Sequence, residues 1–241
     1  MANPTHGVLF DVGYTLLDET DRLRHAIATL AEDLGPLGLP GLPAVAAMSA
    51  EARVDHVMGC YLAGCESPNP AEPSLLVQTL AALGLPEEEA RRVRKRLRWD
   101  AVPMTPFPGV RDCLVALREA GMRVGVLANQ PASAREDLDR AGLVELCDSI
   151  WLSDAVGMAK PDPAFFRLAL SMWSMPPERV AYVGDRPDND VAPAKLLGMH
   201  TVRMRLGPHA MQQPRGAGEV ADWTVDTFAG LTEHLLRWAG R

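Results

Sequence analysis

Four cysteines in 241 residues, none in a C-x-x-C spacing and none grouped with histidines at zinc-binding intervals, leave this chain no disulfide framework and no zinc site. Cys60, Cys65, Cys113 and Cys147 read as free thiols, which suits a reducing cytoplasm. No apolar run approaches the ~20 residues needed to cross a bilayer, and MANPTHGVLFDV at the N-terminus has no basic stretch ahead of an apolar one. The expectation is a cytoplasmic protein with no membrane partner. Positive charge is also scarce: 24 basic against 31 acidic residues give a net charge of −7 and a pI near 5.4. That is the wrong sign for a nucleic-acid partner. Lysine is rarest of all, with only Lys95, Lys160 and Lys195.

What remains is an ordinary globular composition, 47% hydrophobic and 23% charged, long enough for one domain with a smaller inserted unit. GVLFDV at 7–12 reads as a strand closed by an aspartate. From about 21 to 99 the pattern is helical, with segments at 21–34, 44–64, 73–83 and 87–99 separated by Pro/Gly-rich stretches. The basic segment EEEARRVRKRLRW reads as a solvated helix with i,i+4 pairs. After VPMTPFPG at 102–109 helices and strands alternate: helix 110–121, strand 122–129, helix 132–141, strand 149–153, helix 162–173, strand 179–185, helix 189–198, strand 200–204 and a last helix near 227–238. QQPRGAGE at 212–219 reads as the long flexible loop. Alternation at this spacing predicts an α/β fold, a Rossmann-like parallel sheet flanked by helices. The lone first strand belongs to that sheet. Residues 1–17 and 104–241 are thus expected to form the core, and 18–103 an inserted all-helical domain.

Ligands of open parallel sheets bind beyond the carboxyl ends of the strands. There the sequence places Asp11, Asn129, Ser153 and Asp154, then Asp185, Asp188, Asn189 and Asp190, with Lys160 in the loop GMAKPDP. Carboxylates converging at one edge repel one another, and an oxygen-seeking cation such as Mg²⁺ relieves the repulsion. Asp188 reads as a helix cap or a solvated charge. A carboxylate beside a metal and a lysine is suited to phosphoryl transfer, with attack on phosphorus followed by hydrolysis.

FDVGYTL (10–16), VLANQ (126–130), KPDP (160–163) and VGDRPDND (183–190), in this order, resemble the four motifs of the haloacid dehalogenase-like hydrolase superfamily, and the helical insert resembles its C1 cap. The resemblance implies that Asp11 is the nucleophile and that Mg²⁺ is held by Asp11, the carbonyl of Gly13 and Asp185. It further implies that Lys160 is the third-motif lysine, catalytic and substrate-binding, that Ala128 and Asn129 meet the phosphate, and that Asp190 supports the metal or the lysine. Two positions depart from the pattern. The acid–base aspartate usual two residues after the nucleophile is Gly13, and the usual second-motif Ser or Thr is Ala128. The expected function is a Mg²⁺-dependent phosphatase acting on a small phosphorylated metabolite. The alternatives are a catalytically weak or inactive relative that binds a phosphorylated ligand or partner, or a metal-independent 2-haloacid dehalogenase.

Overall fold

The computed structural model describes residues 6–34, 47–68, 74–96 and 101–241. The chain divides into one unit of Met1–Asp18 with Met104–Arg241 and a second of Glu19–Pro103.

In the first unit, strands β1 (Gly7–Phe10), β4 (Arg123–Ala128), β5 (Ser149–Leu152), β6 (Val180–Gly184), β7 (His200–Met204) and β8 (Trp223–Val225) form one parallel sheet in the order β5-β4-β1-β6-β7-β8. The first strand therefore lies inside the sheet. Its register aligns Phe10 with Val126 on one side and Val183 on the other. Alternate residues leave a strand on opposite faces. Val8 and Phe10, with Val124 and Val126, enter one core shared with helices α5 (Val110–Glu119) and α10 (Phe228–Trp238), whereas Leu9, Leu127 and Tyr182 enter the other with α8 (Pro163–Trp173). Asp162 caps α8 by accepting from the Ala164 N–H at 2.8 Å, and Pro163 occupies the first turn, where its missing N–H is harmless. Strand order reverses between β1 and β6, and such a switch opens a crevice at the carboxyl ends.

The second unit consists, among the described residues, of helices α1 (Thr20–Leu34), α2 (Ala50–Glu66), α3 (Leu75–Ala82) and α4 (Glu87–Arg96), packed on Leu23, Ile27, Leu30, Val57, Tyr61 and Leu80. The expected starts of two helices at 44–46 and 73, and the expected end of the fourth at 97–99, lie outside the described residues. No helix among the described residues is long and apolar enough to cross a membrane.

Several details differ from the expectation. β8 is a three-residue edge strand, β2 (Leu17–Asp18) and β3 (Thr105–Pro106) form a two-residue antiparallel pair, and α7 (Ser153–Val156) is one turn. All are too short to carry a period. Helix 189–198 begins as a π turn over Pro187–Val191, closed by the Ala192 N–H on the Pro187 carbonyl, and continues as α9 (Ala192–Leu196). The loop at 212–219 is anchored. Gln212 is buried and Arg215 pairs with Glu219 at 2.8 Å.

Candidate active site

Three neighbouring strand ends build the site. β1 delivers Asp11, whose N–H donates to the Val183 carbonyl at 2.9 Å. The chain then winds tightly: the Val12 carbonyl accepts from Thr15, Leu16 and Leu17, and Tyr14 donates its N–H to the Leu17 carbonyl. Tyr14 takes a φ of +51°, uncommon for a bulky residue. β6 delivers Asp185, and the π turn after it, a feature frequent at functional sites, swings Asp190 back over the strand. Gly184 permits this. A Cβ there would stand 2.5 Å from Asp190 Cγ.

Lys160 fills the middle. Its Nζ donates to Asp11 Oδ1 and to Asp190 Oδ1, both at 2.6 Å. The three side chains are almost wholly enclosed, with residue exposures of 3% for Lys160, 8% for Asp11 and 0% for Asp190. This is no surface loop lysine. The main chain of Lys160 is gripped by Asn129, which donates Nδ2 to its carbonyl and accepts its N–H, each at 2.8 Å. The other Asp190 oxygen accepts the Arg186 N–H at 2.9 Å. Asp190 thus pairs with the lysine, one of the two supports that the resemblance left open for it.

Tyr182, which the sequence does not single out, and Asp188 complete the frame. Tyr182 donates its hydroxyl to the Leu127 carbonyl at 2.8 Å, lies 3.5 Å from Asp190 Oδ1, and turns its ring toward Lys160 Nζ, 5.5 Å from the centroid. Asp188, expected as a cap or solvated charge, is neither: it pairs with the Arg186 guanidinium at 3.2 and 2.8 Å and accepts from Gln212 at 2.9 Å. The π turn gives it no capping role, and Gln212, 24 residues later, supplies the partner. Ser153 donates to the Gln130 carbonyl at 3.3 Å, Asp154 is exposed on α7, and Asn189 lies within the π turn.

Burial governs the electrostatics. Desolvation pushes the Asp11 carboxyl up to about 6 despite the Lys160 ammonium beside it, with Asp190 adding to the rise. Asp185 is held well above the usual carboxylate range, by burial first and by Asp190 and Asp11 next. For Lys160, burial works against the charge, but the carboxylates of Asp11 and Asp190 outweigh it and keep the ammonium above its ordinary value. Burial also raises Tyr182, so its hydroxyl stays protonated.

Oxygens of Asp11, Asp185 and Asp190 lie within 4.8 Å of one another. An all-oxygen set of excess negative charge, opposed by one buried ammonium, fits a hard divalent cation such as Mg²⁺. Gly13 is enclosed and has only its backbone to offer, and Ala128, at the end of β4, is fully buried with no side-chain donor. Asn129, whose amide the resemblance places at a phosphate, uses Oδ1 and one Nδ2 hydrogen on the Lys160 main chain.

The family model described as haloacid dehalogenase-like hydrolase matches residues 5–198, more than three quarters of the sequence. The chain belongs to this family. Similar proteins include a glyceraldehyde 3-phosphate phosphatase of Methanopyrus kandleri, 35% identical over 51% of this chain and 53% of the relative. Another is a phosphoglycolate phosphatase of Rhodospirillum rubrum, 30% identical over 95% of this chain and 90% of the relative. With the first of these and its archaeal namesakes, the chain spans about half the length of the relatives it matches. Among solved structures, a HAD phosphatase from Thermococcus onnurineus superposes with a TM-score of 0.64 at 24% identity, over 95% of this chain and 97% of that one. This chain thus has the fold of the haloacid dehalogenase-like hydrolases, a parallel sheet flanked by helices, with the cluster described above at its carboxyl edge.

Proposed function

We propose that this hydrolase is a Mg²⁺-dependent phosphatase that cleaves a small phosphorylated metabolite through an aspartyl-phosphate at Asp11, with the helical unit as its C1 cap. The observation that carries the reading is the enclosed Asp11–Lys160–Asp190 triad beside Asp185. Mg²⁺ would be held by Asp11, the Gly13 carbonyl and Asp185, and would supply charge neutralisation for the phosphoryl oxygens. An Asp11 oxygen attacks phosphorus, the bond from phosphorus to the leaving oxygen breaks, and the electron pair leaves with that oxygen. Water then attacks the phosphorus, the bond to Asp11 breaks, the carboxylate is restored, and the proton released goes to phosphate or solvent. Lys160 neutralises charge on the transferring group, while Asp190, Asn129 and Tyr182 hold it in place. The related enzymes named for glyceraldehyde 3-phosphate and phosphoglycolate support a small anionic substrate.

Gly13 carries no proton. Loss of a positioned acid–base group costs ~10²–10⁴-fold, so the preferred substrates are those whose leaving group departs as a stable anion, such as acyl or aryl phosphates. Gly13 and Ala128 together also favour a second reading, a weak or inactive relative that binds a phosphorylated ligand. A turnover screen over phosphate esters, acyl phosphates and 2-haloacids, with Mg²⁺ and with EDTA, separates these readings. Phosphate release that needs Mg²⁺ and rises in Gly13→Asp supports the phosphatase. Halide release insensitive to EDTA identifies a dehalogenase, and Mg²⁺ binding without turnover favours the binding protein.

A further inference from the structure

The loop after β7 joins both sides of the site. Gly207 in this loop has a φ of +64°, and a Cβ built on it would stand 2.2 Å from Cδ1 and 2.6 Å from Cγ of Tyr14. The tyrosine ring thus lies directly on the glycine, and any side chain at 207 displaces it. The loop itself is firmly tied. Arg203, buried on β7, donates Nη2 to the His209 carbonyl at 2.8 Å and to that of Ala210 at 3.3 Å, and Nε to the backbone carbonyl of Asp185 at 3.2 Å. His209 Nδ1 meets Gln212 Oε1 at 3.1 Å, and Gln212 donates to Asp188 at 2.9 Å. One loop is therefore fastened to the residue that follows β6 and presses on the turn that follows β1.

We infer that Gly207 is a positioning residue: with its loop anchored by Arg203 and Gln212, it forms the seat that holds Tyr14 in the left-handed conformation and so aims the Gly13 carbonyl into the site. The Gly13–Tyr14 peptide is one plane, with its N–H on the Leu17 carbonyl at 2.8 Å, so a seat that keeps Tyr14 at its φ of +51° keeps the direction of the Gly13 carbonyl as well. Glycine at 207 is needed for space and for its positive φ alike. The inference rests on the reading that Gly13 and Asp185 bind Mg²⁺. It adds that the metal site is built by a contact between positions 14 and 207, outside the four motifs' ligands.

Titration calorimetry with MgCl₂ on the full chain tests it, using the native protein, Gly207→Ala, Tyr14→Gly and the double variant, with folding checked by circular dichroism. Remote supports of metal ligands are worth ~10–100-fold in affinity, and Gly207→Ala should weaken Mg²⁺ binding by that factor. In the Tyr14→Gly background, where no ring remains to be displaced, the same change should cost less than about threefold. The backbone cost of alanine at a positive φ is common to both backgrounds and cancels. Equal losses in both, or Mg²⁺ affinity in Gly207→Ala within about threefold of native, would overturn the seat. Should Gly207→Ala fail to fold, Tyr14→Gly alone decides: about fivefold weaker Mg²⁺ binding supports the seat, and unchanged affinity overturns it. A native chain that binds no Mg²⁺ overturns the metal reading itself, and this inference with it.

Discussion

Helix α4 and the carboxyl edge of the sheet both pair acids with bases, under opposite conditions. On α4, Glu87 pairs with Arg91 and Glu88 with Arg92 one turn on, all four side chains more than half exposed. At the sheet edge Lys160 meets two carboxylates with side-chain exposures of 1% for the lysine, 12% for Asp11 and 0% for Asp190. Exposed pairs are screened and contribute little, whereas enclosed ones carry a desolvation penalty that only good geometry offsets. Charge density along the sequence points to α4; burial points to Lys160. Burial raises Asp11 and Asp185 at the edge of the sheet, and that perturbation supports the proposal that chemistry is performed there.

The comparison is broken most severely by Lys160→Met. It strands three carboxylates in an enclosed site and should destabilise the metal-free protein by about 3–5 kcal/mol, as loss of one partner of a buried pair does. Thermal melts should show most of that loss recovered by saturating Mg²⁺. Activity should fall to background, since the only ammonium in the cluster is gone.

Acidity offers the next largest effect. The folded value for Asp11, about 6, lies above its unfolded 3.8, so its contribution to metal-free stability is complete below pH 3.8 and is lost as pH rises through 6. The difference is worth up to about 3 kcal/mol, and Asp185 acts in the same direction. Mg²⁺ needs the ionised carboxylates. The rise in Tm on adding Mg²⁺ should therefore be small at pH 5 and large at pH 8, and equal rises at both would contradict the burial argument.

Asp188→Ala should cost about 1–3 kcal/mol in chemical denaturation, because it leaves the Arg186 guanidinium and the Gln212 amide without their shared acceptor. Glu87→Ala should be the smallest change, within about 0.5 kcal/mol of native and without effect on turnover.

Much of this site is legible in the sequence, for a physical reason. The β/α alternation fixes that Asp11, Asn129 and Asp185 end neighbouring parallel strands, and parallel strands bring their ends to one edge whatever their spacing. Lys160 stands out through its rarity and its place after β5. What the sequence hides depends on pairings without a period. Asp188 looks like a helix-start acid until Gln212 closes on it, the loop at 212–219 looks loose until that amide is buried, and Tyr14 and Gly207 lie nearly 200 residues apart. Tyr182 carries no signal of its own within strand 179–185, though its hydroxyl and ring face Asp190 and Lys160. β8 escaped because three residues at a sheet edge carry too little alternation.

The central claim is that Asp11 becomes phosphorylated. Acid-quenching the native protein during turnover of an acyl or aryl phosphate with Mg²⁺, reducing with borohydride and mapping the peptides by mass spectrometry tests it directly. The account predicts homoserine at position 11 in the native chain, and neither that product nor phosphate release in Asp11→Asn. Continued turnover with Asp11 unmodified, or activity retained in Asp11→Asn, would contradict it.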